Sequence, residues 1–260
     1  MNLGQIKTRI QKQQFLFEEL VKRDFKRKYK RTILGMLWSM LSPLLMLGVM
    51  SFVFTRFFGR TIPHYPLYIL AGQIVFAFYS EATNQGMIAL VADAGIFSKI
   101  NVPKYLFVLS RNISALLNFS LTLVIFFVFV FVHGIEPHLS MLAVLWPILW
   151  LALFNFGIGL LLSALYLFFR DLQYLYSLLL QMIMYGSAIF YSIDQMSEEM
   201  QMVFYCNPLY VYITCIREAV IYETPLTPLF FIFCPVFAIL ALGLGLGLYK
   251  KFNFYFIYYI

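Results

Sequence analysis

The sequence predicts an all-α integral membrane protein with six transmembrane helices, an N-terminal amphipathic interfacial helix, and short re-entrant helices between spans five and six. Three observations lead there. Of 260 residues, 62% are hydrophobic and only 12% charged, whereas a soluble globule is apolar over about 45–50% of its sequence. A basic amphipathic stretch runs straight into Ile33 to Thr55, which carries no charge and at ~1.5 Å per residue is long enough to cross a ~30 Å hydrocarbon core. The cations are also concentrated: ten of the 19 Lys and Arg residues precede Thr32, where Glu18, Glu19 and Asp24 are the acids.

In the arm, residues 1–32, Leu16, Leu20, Val21, Phe25, Tyr29 and Ile33 recur at three- to four-residue spacing, with Lys22, Arg23, Lys26, Arg27, Lys30 and Arg31 between them. Such a helix lies in a membrane surface, its apolar side in the acyl boundary and its cations among anionic headgroups. Membrane lipid, and not nucleic acid, is therefore the partner of the +7 net charge, because nucleic-acid binding needs a folded basic platform. No cleavable leader is expected, since the first apolar run far exceeds a signal's core of ~7–15 residues.

The first span, 33–55, leads to a loop with Gly59 and Pro63. The second, 65–91, is interrupted by Ser80, Glu81, Thr83, Asn84 and Gln85. Residues 93–111 are amphipathic, of mixed charge and broken at Pro103. The third span is 113–132, and the fourth, 141–168, closes on the polar turn Arg170-Asp171. The fifth is 172–191. Residues 192–227 are too polar to cross, at Asp194, Glu198, Glu199, Arg217 and Glu218, yet apolar enough to enter the membrane partway as helices broken at Asn207-Pro208. The sixth span is 228–249. With both termini cytoplasmic, only Arg56, Arg60 and Arg217 among the cations fall outside, as the positive-inside rule requires. No tandem or inverted repeat is visible, against the usual secondary-transporter construction.

Three separated stretches then bear on function. The first is Arg23-Asp24-Phe25-Lys26 through Lys28-Tyr29, Thr32-Ile33-Leu34-Gly35, Leu37-Trp38-Ser39 and Pro43-Leu44. The second is Phe97-Ser98-Lys99 to Val102-Pro103. The third is Phe169-Arg170-Asp171, followed by Ile189-Phe190-Tyr191, Asn207-Pro208-Leu209 and Arg217. Together they resemble the membrane subunit of type-2 ABC exporters of cell-surface polysaccharide, the group serving O-antigen, teichoic acid, rhamnan and capsule. The sequence departs from that group at Ala188, where relatives often carry Pro, so a less kinked fifth helix is expected.

The resemblance implies a bacterial inner (plasma) membrane permease, multi-pass and homodimeric, working with two copies of a separate ABC ATPase on an undecaprenyl-type lipid-linked glycan. No G-x-x-x-x-G-K-[ST] loop is present. The chain is thus expected to bind no cofactor, to carry no catalytic or metal residues, and to receive energy from ATP and Mg through its partner. The resemblance makes residues 93–109 a cytoplasmic coupling helix. Phe97, Ile100, Val102 and Phe107 would plug an apolar groove of the ATPase while Lys99 and Lys104 fix its rim about the break at Pro103; the plain reading is an amphipathic loop helix.

Lys30, Arg31 and Thr32, with backbone amides near Gly35, are candidates to receive the substrate's phosphates, the plain reading being a positive anchor. Phe52, Phe54, Tyr185, Phe190 and Tyr191 are candidates to line the path, where sugar rings slide on aromatic faces; lipid-facing belts are the simpler account of most aromatics. Glu81 must face a polar cavity, a helix partner or the inner interface, and with Asn84 reads as a hydrogen-bonding cluster before a proton relay. Gly243-x-x-x-Gly247 permits close helix packing. Cys206, Cys215 and Cys234 read as buried thiols, with a Cys206 to Cys215 pairing open. Two alternatives remain at this stage: a type-2 exporter of drug or lipid, and a membrane-embedded transferase for lipid-linked sugars, for which only Glu81, Asp171 and the Asp194, Glu198, Glu199 group supply acids.

Overall fold

A polypeptide in hydrocarbon must satisfy every backbone N–H and C=O internally, and a helix does so within one segment. The computed structural model describes residues 3–29, 37–58, 62–97, 102–252 and 255–257, and the regular elements among them are all helical. They are α1 (Leu3–Tyr29), α2 (Leu37–Phe58), α3 (Tyr65–Ala92), α4 (Ala94–Phe97), α5 (Tyr105–Val132), α6 (Leu145–Phe168), α7 (Leu172–Gly186), α8 (Glu198–Tyr205), α9 (Pro208–Val220) and α10 (Pro228–Phe252). A 3₁₀ turn, Leu139–Val144, precedes α6.

Local chemistry sets the ends. Pro66 occupies the first turn of α3, where its missing N–H costs nothing. α5 stops at His133 because Gly134 takes a left-handed φ of 82°. The Gly134 N–H then reaches Phe131 O and the Ile135 N–H reaches Val130 O, a Schellman closure that buries Ile135. α9 opens on Asn207, whose side chain accepts from the Leu209 N–H at 3.0 Å, with Pro208 in its first turn. Among the described residues, Tyr105–Val132, Leu139–Phe168 and Pro228–Phe252 are long and apolar enough to cross a membrane.

α3 is the centre of the bundle. It packs on α5, α6 and α9, and its buried residues run from Tyr65 to Leu90. α6 and α10 pack closest, through glycines that the Gly243/Gly247 pattern does not include. A Cβ on Gly157 would lie 2.5 Å from the backbone of Ala241 and Leu242, and one on Gly245 would lie 2.5 Å from Gly157 O, while Gly243 and Gly247 face open space. A second apolar cluster, around Leu20, Leu90, Phe107, Val108, Leu167 and Phe256, closes the end of the bundle where α1 docks.

Two expectations change. Residues 93–109 do not form one helix: α4 ends at Phe97 and the first turns of α5 start at Tyr105. Pro103, which lacks a donor for a continuous helix, immediately precedes that second start. The fifth helix is not straighter for having Ala188; it ends at Gly186, and Ala188 itself adopts φ 48°. Of the cysteines, Cys206 is exposed, whereas Cys215 and Cys234 are buried with sulfurs 3.8 Å apart, so no Cys206 to Cys215 bridge exists.

The α6/α10 contact gives a sharp test. Gly157→Val and Gly245→Val should lower the thermal midpoint in detergent, since overpacking of this kind costs about 1–3 kcal/mol or more. Gly243→Ala and Gly247→Ala should leave it unchanged or slightly raised.

Candidate functional site

The basic helix α1 is held to the bundle by ions. Asp24, on its inner face, and Asp93, at the C-terminus of α3, are 6% and 3% exposed. Two carboxylates brought together in a medium of low dielectric repel unless cations separate them. Arg23 donates from Nη1 and Nη2 to Asp93 at 2.8 and 3.0 Å, and from Nη2 and Nε to Asp24 at 2.7 and 2.9 Å. Arg111, in the first turns of α5, donates to Asp93 at 2.9 Å and forms an ion pair with Asp24 at 3.2 Å. Ser110 Oγ completes the cluster with a 2.9 Å bond to Asp24. The four charges cancel, and each arginine fork bridges both carboxylates, which a lysine could not do.

One turn further along α1, Lys28 meets Glu81 at 2.7 Å, and Asn118 Nδ2 donates to the same carboxylate oxygen at 2.8 Å. The mid-helix acid of α3 is therefore met by a partner helix and by α5. Asn84 bonds Ser80 O at 2.9 Å, within its own helix. Between α1, α3 and α5 lies a cavity of about 550 Å³, lined by Asp24, Arg27, Lys28, Glu81, Gln85, Ile88, Ala92, Arg111 and Ser114. Its wall is polar at α1 and apolar at Ile88 and Ala92. Arg111 Nε is buried there without a partner among the described residues. This wall offers cationic donors beside an apolar floor, a combination suited to a phosphate-bearing lipid headgroup.

The other expected site residues fall as follows. Lys30, Arg31, Thr32, Gly35, Lys99 and Ile100 lie outside the described residues, as do the side chains of Phe54 and Phe97. Val102 and Lys104 are half-buried, Lys104 resting 5.3 Å from the Phe256 ring. Phe107 is fully buried in the cluster under α1, because α5 begins early enough to turn it inward, so it cannot enter a partner's groove. Phe52 and Tyr185 are exposed on α2 and α7, whereas Phe190 is buried by the turn that ends α7. Tyr191 is half-buried, its hydroxyl donating to Tyr185 O at 2.6 Å. Sequence reasoning missed Asp93 and Arg111. The available signal was Asp24, an acid placed inside an otherwise basic run.

At the opposite end of the bundle, in the connector before α6, His138 places Nδ1 2.9 Å from Glu136 O and Nε2 3.0 Å from Ala219 O. Only the doubly protonated imidazolium donates to both carbonyls. The hydrogen bond to Glu136 O, the main cause, and that to Ala219 O therefore raise its pKa above the ordinary value.

Removing a buried partner leaves an uncompensated charge. Asp93→Asn should thus cost roughly 3–5 kcal/mol, whereas Glu81→Gln, in a half-exposed pair, should cost at most about 1 kcal/mol; thermal midpoints of the two variants check the order. A histidine whose folded pKa is raised stabilises fully below its unfolded value of ~6.5 and loses that contribution as pH climbs through the folded value. The midpoint should accordingly fall as pH climbs above the ordinary histidine value of ~6.5, and His138→Phe should flatten that slope.

Residues 16–221 match the family described as ABC-2 type transporter. The chain is 32% identical over 211 residues to the O-antigen export system permease protein RfbA of Klebsiella pneumoniae, covering 78% of this chain and 80% of that protein. It is 27% identical over 212 residues to the protein of the same description in Myxococcus xanthus, with 80% of each chain covered. Identity to the polysialic acid transport protein KpsM of Escherichia coli is 24% over 243 residues, 92% of this chain and 93% of that one. This all-helical, multi-pass membrane chain belongs to the ABC-2 type transporter family, as a permease.

Proposed function

We propose that the chain forms the membrane path of a bacterial exporter that carries a lipid-linked polysaccharide of the O-antigen or capsule kind out of the cytoplasm. The observation that carries this reading is the similarity to O-antigen export permeases over about four fifths of both chains. ABC-2 permeases pair with ATPase subunits. Two copies of this chain, with α2 and α7 facing a central path, would work with two ATPases, the six spans leaving both termini cytoplasmic in the inner membrane. The exposed apolar faces of α2 and α7 suit that arrangement: Leu45, Phe52, Tyr174, Leu178, Met182 and Tyr185 are each more than half exposed.

The cavity under α1 supports a polyprenyl-diphosphate substrate of the undecaprenyl type. Arg27 and Lys28 supply cationic donors for phosphate, and Lys30, Arg31, Thr32 and Gly35 follow directly in the chain. The ion cluster supplies the link to the motor. Asp93 immediately precedes α4, the start of the segment that would seat in the ATPase through Phe97, Lys99, Ile100, Val102 and Lys104. Displacement of that segment pulls on Asp93, and through Arg23 and Arg111 on α1 and α5 together. α1 and the root of the coupling segment then shift as one piece.

Two measurements test this. The tagged chain should co-purify with its cognate ATPase, and Phe97→Asp with Lys99→Glu should reduce the ATPase recovered by about ten-fold, a loss typical of interface anchors. Vesicles holding both subunits should take up lipid-linked O-antigen-type glycan only with ATP. Full ATPase recovery by the double variant would refute the seating of this segment, and vesicles inert toward the glycan would refute the substrate.

A further inference from the structure

Residues 188–191 leave helix α7 as a turn whose carbonyls have lost their intrahelical partners, a costly state wherever water is scarce. Each is met by a side chain from another element. Arg217 Nη1 donates to Ala188 O at 3.2 Å and Nη2 to Ile189 O at 3.1 Å. Tyr65 OH donates to Phe190 O and Tyr68 OH to Tyr191 O, both at 2.7 Å. Just before them, Asn207 Nδ2 donates to Gly186 O at 2.8 Å while its Oδ1 caps α9. Arg217 also binds Tyr68 O through Nε and Nη2 at 3.3 and 3.1 Å, with the guanidinium carbon 3.3 Å from the Tyr68 ring centroid.

Arg217 is 2% exposed, and no carboxylate pairs with it among the described residues. Its charge is spread instead over carbonyl dipoles and an aromatic face. Holding a turn onto a helix does not require a buried cation, since neutral donors such as Tyr65 do it at lower desolvation cost. What the planar fork adds is simultaneous reach: from α9 it binds α3 and two successive carbonyls of the α7 terminus. The surroundings are built for that reach. Ala188 holds φ 48°, a conformation non-glycine residues keep only when neighbours over-determine it. A Cβ on Gly72 would lie 2.9 Å from Ile189 Cγ2 and 3.1 Å from Arg217 Nη2, so glycine is what lets α3 approach.

We propose that Arg217 is a positioning residue for export, locking the end of α7, α3 and α9 into one rigid unit at the end of the path opposite α1. The proposal rests on the exporter reading above. α7 offers the path an exposed face and is otherwise lightly anchored, with only Tyr176 and Leu180 buried along its length. The clamp therefore converts movement of α3 into movement of α7. Without it, α3 moves and the wall of the path does not follow, so ATP is hydrolysed without glycan delivered.

The test uses proteoliposomes containing the chain and its cognate ATPase, with undecaprenyl-linked glycan, and reads glycan delivered per ATP hydrolysed for wild type, Arg217→Lys and Arg217→Gln. A second readout is labelling by a membrane-impermeant maleimide of Phe190→Cys, in a chain whose own cysteines are replaced. Expected is retained ATPase pairing and hydrolysis, a fall of about ten-fold in glycan per ATP, and several-fold faster labelling at position 190 in both Arg217 variants. A wild-type ratio with wild-type labelling overturns the proposal. Should Arg217→Gln fail to insert, Arg217→Lys, which keeps the charge but not the fork, carries both readouts, and a wild-type ratio with wild-type labelling in that variant overturns the proposal. A wild type that delivers no glycan fails the exporter reading instead, and the labelling arm still decides whether the clamp exists.

Discussion

The structure depends on the pairing of two buried aspartates with two arginines at the end of the bundle that carries α1. Asp24 and Asp93 come from positions 69 apart in the chain, and their like charges are held together by Arg23 and Arg111 between them. Their neutral total is what allows a helix as basic as α1 to sit against an apolar cluster and not float free on the headgroups. Apolar contacts from Leu16 and Leu20 alone would leave α1 free to slide along its axis, because greasy surfaces carry little register information. The forked bonds to Asp93 fix register and rotation at once.

The opposite end meets the same scarcity of water with different chemistry. There, among the described residues, no acid pairs with Arg217, and its charge is met by backbone dipoles that the end of α7 has made available. The two solutions differ in how they respond to force. In the ion cluster each arginine binds both carboxylates at once, so a pull on α3 is passed to α1 and α5 through side chains. The carbonyl clamp grips backbone of α3 and of the turn after α7, so force on one passes directly to the other. Under the exporter reading, a side-chain joint at the α1 end and a backbone joint at the other suit a bundle that would receive displacement at one end and deliver it as movement of α7 at the other.

Much of the fold was legible in the sequence, for physical reasons that differ from element to element. The apolar runs that become α5, α6 and α10 are long and uninterrupted, and in lipid such a run has few structures open to it. The break at Asn207-Pro208 could be read because capping chemistry is local. The end of α7 could not: Ala188 is an ordinary helix former, and it takes a left-handed conformation only because Tyr65, Tyr68 and Arg217 collect the turn's carbonyls from far along the chain. Phe107 and the Gly157/Gly245 contact were missed for a related reason. Composition marks a residue as apolar or small, but where a helix begins decides which way it faces, and α5 begins within the amphipathic stretch read as a separate coupling helix.

The candidate site was half legible. A basic helix beside a charge-free span announces contact with anionic lipid, and that much is a property of α1 alone. The ion cluster is a property of three helices, and its members looked in isolation like the ordinary polar fringe of membrane spans. Glu81 shows the difference. As a lone acid in an apolar helix it had to face a polar cavity, a helix partner or the inner interface, and it does, reaching out to Lys28 and Asn118, whereas Asn84, read with it as one hydrogen-bonding cluster, turns back to Ser80. An intramembrane carboxylate is therefore better read by asking which cation a neighbouring segment can deliver at its depth. In this chain the segment is α1, whose Lys28 lies one turn beyond Asp24, so that the pairing of Asp24 with Arg111 sets the position from which Lys28 meets Glu81.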